Sequence, residues 1–507
     1  MGVSVAADPG RLRLRTSARA VLGIGLAVAA VGEAGLPLSA AIAGGLAALL
    51  ALFTVADPTV RGQAVTTALL PAAGLPVLAL ATAVDGRPLA RDAALLAVVF
   101  CGVAARRRGA RGNALGIFAF MMFFAAQFLH AVPGELVRLS AAVLLALAVA
   151  AAVRFGLWRV ERRALPAAAA AAAPMPGPAG RGPVHPATRQ AVQAVAACGF
   201  ALAVGQAVSG ERWYWAVGTA WWIFVNTASR GETLVRGFRR ILGTVCGVAA
   251  GLLIAVPLHG APAPTAVLVA GCVFGIFYAA PLSYSWMMFF VTLMAGLLYG
   301  LLGVLHPGLL ALRLEQTLIG ALGAALAVTA VLPVTTHAAT DAWIRRALHC
   351  VRECAAESAR RLAGDPAADP APRVAELEAV LVRLRMSIAP LLHPLSPLRA
   401  RKSRARQVMV ALDDCARQVR GLAEVAADPD ASHDARLTAA CLRVEAAVGR
   451  LVNPAARPAA VPAVPGAEPH PHPGAERALA HLHGLEAALA GLAAPLCGGT
   501  RAPLAGA

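Results

Sequence analysis

From Arg15 to Pro333 the chain is a succession of apolar runs, most of them close to twenty residues long, each cut off by arginine, proline or glycine. A helix crosses the ~30 Å hydrocarbon core of a bilayer in about 20 residues. Inside lipid a spanning segment must satisfy its own backbone hydrogen bonds. These runs are continuous rather than alternating, so they read as helices and not as barrel strands. Twelve candidates follow: 15–32, 37–55, 64–84, 91–106, 113–131 and 136–157, then 188–209, 212–228, 239–257, 263–280, 284–305 and 309–333. The whole chain agrees, with a mean hydropathy of +0.67 and only 14% charged residues, where soluble domains carry about 25%. A purely soluble enzyme and a disordered chain are excluded. The net charge of +18 suggests nucleic acid at first, but the arginines sit at the ends of apolar runs instead of along one amphipathic face, so no nucleic-acid partner is expected.

Cytoplasmic loops of membrane proteins collect Lys and Arg. Counting alternate loops from the N-terminus, one side gathers Arg11, Arg13, Arg15, Arg61, Arg106–Arg108, Arg111, Arg159, Arg162, Arg163, Arg230, Arg236, Arg239, Arg240, Arg345 and Arg346. The other side has only Arg87, Arg91, Arg138, Arg212 and Arg313. The bias predicts a multi-pass protein of the plasma or inner membrane with both termini in the cytosol.

The expected organisation is all-α. A cytosolic tail spans 1–14, a first block of six membrane helices 15–158, an Ala/Pro/Gly-rich linker 159–187 and a second six-helix block 188–335. A cytosolic helical domain follows over 336–453, then a proline-rich connector and terminal helix over 454–507, which reads as loosely attached. Repeated marks suggest that the blocks are two parallel copies. Arg61-Gly62 is echoed by Arg230-Gly231, and Pro133-Gly134 with Arg138 by Pro307-Gly308 with Arg313.

The second block carries Trp213-Tyr-Trp-Ala216, Arg230-Gly-Glu-Thr233, Arg239-Arg-Ile-Leu-Gly-Thr-Val-Cys-Gly247 and Arg313-Leu-Glu-Gln-Thr-Leu-Ile-Gly320. This series resembles the fusaric-acid-resistance-like (FUSC) family, also called aromatic acid exporters or the integral membrane bound transporter domain. The likeness covers Arg189–Pro333 and is weak before it. Where the family reads Arg-x-x-Asp-Thr, this chain has Gln316, with Glu315 one residue earlier. The resemblance implies efflux of aromatic or other organic acids across the inner membrane, and a distant kinship with plant aluminium-activated malate channels.

Several residues stand out for the chemistry of such a task. Arg236, Arg239 and Arg240, at the start of the ninth helix, read either as an intracellular anion funnel or as topology anchors that snorkel to lipid phosphates. Glu315, Arg313 and Arg138 read as a coupling site or a structural ion pair, since a charge in an apolar run costs at least ~2.5–3.5 kcal/mol. Gly243, Gly247 and Gly251 share one helix face and, with Gly320, read as packing positions. Trp213, Tyr214 and Trp215 read as an interfacial belt. His349, Cys350 and Cys354 read as bundle core, and neither a metal nor another cofactor is expected. No phosphate loop, nucleophile elbow or HExxH pattern appears.

The sequence therefore predicts a non-enzymatic secondary transporter exporting small organic, aromatic-type acids, with proton coupling through Glu315. The alternatives are a passive anion channel on the same scaffold and a non-transporting scaffold with a docking tail. Expected partners are the lipid bilayer, small organic anions, and a second copy of the chain or an accessory export protein.

Overall fold

The computed structural model describes residues 9–57, 59–156, 186–225, 227, 230–331, 336–362, 365, 367–392, 399–426, 435–452 and 473–497. The expected linker 159–187 and connector 454–472 lie outside these residues, save for the first turn of one helix. The described residues are helical with no strand. They form two compact units.

Among the described residues, the first unit has twelve α-helices: α1 (Pro9–Glu33), α2 (Leu38–Thr54), α3 (Val60–Ala83), α4 (Pro88–Ala104), α5 (Gly109–Phe128), α6 (Leu136–Gly156), α7 (Pro186–Val208), α8 (Tyr214–Phe224), α9 (Arg230–Ala250), α10 (Pro262–Ala279), α11 (Tyr284–Leu301) and α12 (Pro307–Ala330). Each overlaps one of the twelve expected stretches, although α9 begins at Arg230, ahead of the expected residue 239. Among the described residues, nine stretches are long and apolar enough to cross a membrane. One of these, Pro88–Phe128, runs through both α4 and α5. α2, with 17 residues, and α8, with 11, are shorter than a full span.

Proline opens α4, α10 and α12, where its missing N–H costs nothing and its fixed φ suits the first turn. Thr59 caps α3 by accepting from Gly62 N at 3.0 Å. Without a hydrophobic drive between helices in lipid, close approach decides the packing. Gly102 on α4 and Gly116 on α5 meet backbone to backbone, and a Cβ at Gly116 would collide with the Gly102 carbonyl. Likewise a Cβ at Gly243 on α9 would strike the carbonyl of Ser285 on α11, and one at Gly247 would sit 2.6 Å from Thr292 Cβ. Gly251, in a π-turn that ends α9, lies beside Leu310, and Gly320 on α12 abuts the Ala216 carbonyl of α8.

The two short helices end on side chains from elsewhere. Arg154 of α6 is only 5% exposed and donates to the carbonyls of Ala51 (2.8 Å), Leu52 (3.1 Å) and Val55 (3.0 Å) at the C-terminus of α2. At the C-terminus of α8, Arg106 (3.2 Å) and Gln190 (3.3 Å) donate to the Phe224 carbonyl. The packing is also regular. Helices α1, α2 and α6 pack on one another, as do α7, α8 and α12, while α4 packs on α7 and α1 on α10.

The second unit contains α13 (Thr336–Leu362), α14 (Ala371–Leu392), α15 (Arg399–Ala426), α16 (Ala435–Val452) and α17 (Pro473–Cys497). Its seam is apolar at helical spacing: Ile344, Leu348 and Val351 on α13, Val380 and Leu384 on α14, Val408, Leu412, Val419 and Leu422 on α15. Cys350 and Cys354 belong to this seam, and burial pushes each thiol up to about 12. The terminal helix is not a loose extension. Leu482, Leu485, Leu489 and Leu492 of α17 are at most 1% exposed and pack against α15 and α16, so a full apolar stripe holds it in the bundle. Ion pairs such as Arg385–Asp413 (2.6 Å) lie on the surface, where each contributes about 0–1 kcal/mol.

Replacing Arg154 by Met keeps the volume but orphans the carbonyls at the end of α2. Each lost hydrogen bond to a charged donor is worth about 1.5–3 kcal/mol. The expected outcome is a drop of several degrees in the melting temperature in detergent; an unchanged melting curve would show that α2 needs no such cap.

Candidate functional site

Four arginines enter the first unit from three places in the chain, and none has an acidic partner among the described residues. Arg106 follows α4 and donates from Nε to Asn113 Oδ1 (3.0 Å) and from Nη1 to Gln190 Oε1 (2.7 Å). Arg236 and Arg240, one turn apart on α9, converge on one tyrosine of α11. The Arg236 guanidinium lies 4.2 Å from the centroid of the Tyr284 ring, and Arg240 Nη1 donates to Tyr284 Oη at 3.1 Å. Arg240 also contacts Met288 Sδ at 3.0 Å and is 5% exposed. Arg313, on α12, is 4% exposed and its guanidinium carbon lies over Trp215, 3.4 Å from the ring centroid.

These groups form a continuous file. Arg106 and Arg236 are within electrostatic range of each other, as are Arg240 and Arg313. Beyond Arg313 the file continues through aromatic groups. Trp215 Nε1 donates to Tyr299 Oη (2.8 Å), the Tyr299 and Tyr214 hydroxyls share a hydrogen bond (3.1 Å), and Arg212 Nη1 donates to Tyr214 Oη (3.0 Å). His130 Nε2 stands 3.4 Å from Arg212 Nη1 and ends the chain. The helix order puts Arg106 and Arg236 toward the end where α4 meets α5 and α8 meets α9. Arg212 and His130 lie at the opposite end, between α7 and α8 and between α5 and α6.

Each of the four arginines leaves a buried N–H without a partner: Nη2 of Arg106, and Nε of Arg236, Arg240 and Arg313. Buried polar groups are ordinarily hydrogen-bonded, because an unmade bond costs the full desolvation of the group. A row of guanidiniums with spare donors and no carboxylate presents a fixed positive potential to anything that enters.

The sequence-based groupings are rearranged by the fold. Arg236 and Arg240 come together on Tyr284, but Arg239 is exposed and turns away from them. Arg313 is buried, whereas Glu315 and Arg138 are both exposed and form no ion pair with each other or with Arg313. Residues 313 and 315 point to different faces of one helix, so this trio is not a site. The aromatic run is not an interfacial belt either. Trp213 and Tyr214 are 2% exposed and Trp215 8%, because α8 sits inside the unit with Phe124 and Phe128 of α5 ringed around it. Trp213 takes Arg91 on its ring face (4.6 Å), and Asp92 beside it accepts from Gln206 (3.0 Å). Sequence reading missed Arg154, Tyr284 and Tyr299 as partners, and treated Arg106 only as a loop charge. An arginine well inside an apolar run, as Arg154 is, was the available signal.

His130 carries a positive φ of 50°, unusual for a residue with a Cβ. Partial desolvation and the Arg212 charge hold its pKa below the ordinary value, against the opposing pull of Glu211 and Asp85. Such a histidine takes up its proton more readily in the unfolded chain. Its contribution to stability is therefore present above about pH 6.5 and is lost as the pH falls below it. In His130→Gln the melting temperature should fall less steeply between about pH 6.5 and 5 than in the parent; parallel profiles would remove His130 from the linkage.

A family model described as fusaric acid resistance protein-like matches residues 197–327. No curated protein and no solved structure matches the chain. The matched stretch runs from α7 to α12 and carries Trp215, Arg236, Arg240, Tyr284 and Arg313. The chain is thus a multi-pass membrane protein whose second run of helices is fusaric acid resistance protein-like.

Proposed function

We propose that the chain is a plasma- or inner-membrane transporter that exports small organic acids, with aromatic acids as the first candidates. The observation that carries this reading is the acid-free row of arginines, with Arg240 and Arg313 buried and Arg106 and Arg236 half-buried. A charge at the bilayer centre costs at least ~2.5–3.5 kcal/mol, and a structural arginine would recover that cost with a carboxylate or, as Arg154 does, with several backbone carbonyls. Here Arg236 and Arg240 instead gather on Tyr284, while Arg106 donates only to neutral acceptors, each with a donor to spare. A guanidinium binds a carboxylate through paired N–H groups and stacks on an aromatic ring, so such a cluster suits a ring-bearing acid.

Read as two parallel copies, the twelve helices are consistent with the same function. The α1–α2–α6 and α7–α8–α12 groups have the same internal order, and the α4–α7 and α1–α10 contacts are reciprocal between the two runs. Of the helices with 17 residues or fewer in this unit, α2, α4 and α8, two are second in their run. A discontinuous or shortened helix near the membrane centre is where transporters of repeat architecture place substrate. With the arginine-rich loops in the cytosol, the Arg106–Arg236 end is the intracellular mouth.

A passive anion channel is the second reading, and one observation favours it. Glu315 is exposed and lies off the file, so it is badly placed to couple a proton to the transported anion.

Everted vesicles loaded with this protein and offered labelled hydroxybenzoates test the proposal. Saturable uptake is expected, reduced at least tenfold in Arg240→Gln at equal, monodisperse expression. Unchanged flux in that variant would reject the arginine cluster as the path. Flux that continues at full rate after collapse of the proton gradient identifies the channel.

A further inference from the structure

We infer that Arg313 and Trp215 form a second anion-binding station, separate from the cluster at Tyr284, which takes one small anion at the free edge of the guanidinium. Arg313 is a buried cation without an ionic partner among the described residues. It is 4% exposed, lies in a 24-residue apolar helix, and makes neither a side-chain hydrogen bond nor an ion pair. Its buried Nε has no partner, and no hydrogen bond from its other N–H groups is formed among the described residues. The guanidinium carbon lies 3.4 Å from the Trp215 ring centroid, a cation–π contact that covers one side of the group.

The surroundings supply no counter-ion. The hydroxyls of Tyr214 and Tyr299 are taken up with each other, with Trp215 Nε1 and with Arg212. The other charge acting on Arg313 is that of Arg240, which has the same sign. On the same helix face, three residues on, the fully buried Gln316 gives its amide N–H to the Gly205 carbonyl (3.2 Å) and is neutral. A desolvated cation next to a second cation, with no acid and with its donors free, is satisfied by an anion. Halide and carboxylate share the required chemistry, since each accepts two N–H bonds from a guanidinium edge. The station rests on the anion-path reading for its purpose, but the binding itself is measurable alone.

The test uses the full-length protein purified in detergent in a sodium gluconate buffer, titrated with chloride and, separately, with benzoate. Melting temperature and tryptophan emission are the readouts, and Trp215→Phe assigns the emission change. A ligand that binds only the folded state raises the melting temperature in a saturable way. The parent is expected to saturate with at least one of the two probes. Arg313→Gln and, independently, Gln316→Glu are expected to weaken that binding at least tenfold. The second variant keeps Arg313 and supplies a built-in carboxylate one turn away, so it stays informative if the first does not fold. Arg107→Gln, which removes an exposed charge, is the control.

Saturation by chloride alone assigns the station to an inorganic anion, and competition by benzoate assigns it to a carboxylate; both support the inference. A linear response in the parent, or unaltered saturation in both variants, overturns it. If binding behaves as expected while vesicles show no flux, the station stands and the transport reading falls. If flux is present while both variants bind as the parent does, the reverse holds.

Discussion

A helix that stops within an apolar unit leaves its last carbonyls without partners, and in lipid there is no water to take them. This chain meets that constraint with guanidinium groups. α2 ends on Arg154, and α8 ends on Arg106 with Gln190.

One arginine type therefore does two kinds of work in the first unit. Arg154 is saturated by carbonyls and is structural. Arg313 has no hydrogen-bonding partner, and Arg236 and Arg240 have only a tyrosine and a thioether. The distinction lies in what surrounds the N–H groups, not in burial, since Arg154, Arg240 and Arg313 are all about equally covered. It separates a charge that stabilises the fold from charges left available to a ligand.

The aromatic residues show the same dependence on context. Trp213, Tyr214 and Trp215 would anchor an interface if α8 were a full-length outer helix. As an 11-residue helix enclosed by α5, α7 and α12, it carries them into the interior, where they face Arg91, Arg212 and Arg313. Trp221, further along the same helix, stacks on Phe120 at 4.3 Å, which pins α8 to α5 across the two runs.

Much of the architecture was legible in the linear order of residues. Unbroken apolar runs dictate helices because the backbone must bond within itself, and the positions of proline, glycine and arginine bound those helices closely. The heptad-like stripes of the tail likewise determined its bundle, although only packing revealed that α17 belongs to it. The membership of the candidate site was decided by tertiary structure. Arg106, Arg240, Tyr284 and Arg313 are separated by up to about two hundred residues, and whether a helical side chain looks inward depends on which neighbours its face meets. That is why Arg239 and Glu315, adjacent in sequence to the buried arginines or nearly so, fall outside the site. A loop charge, a lipid-facing charge and an unpaired interior charge are the same letter in the sequence; the surrounding acceptors, which the fold alone assembles, make them different.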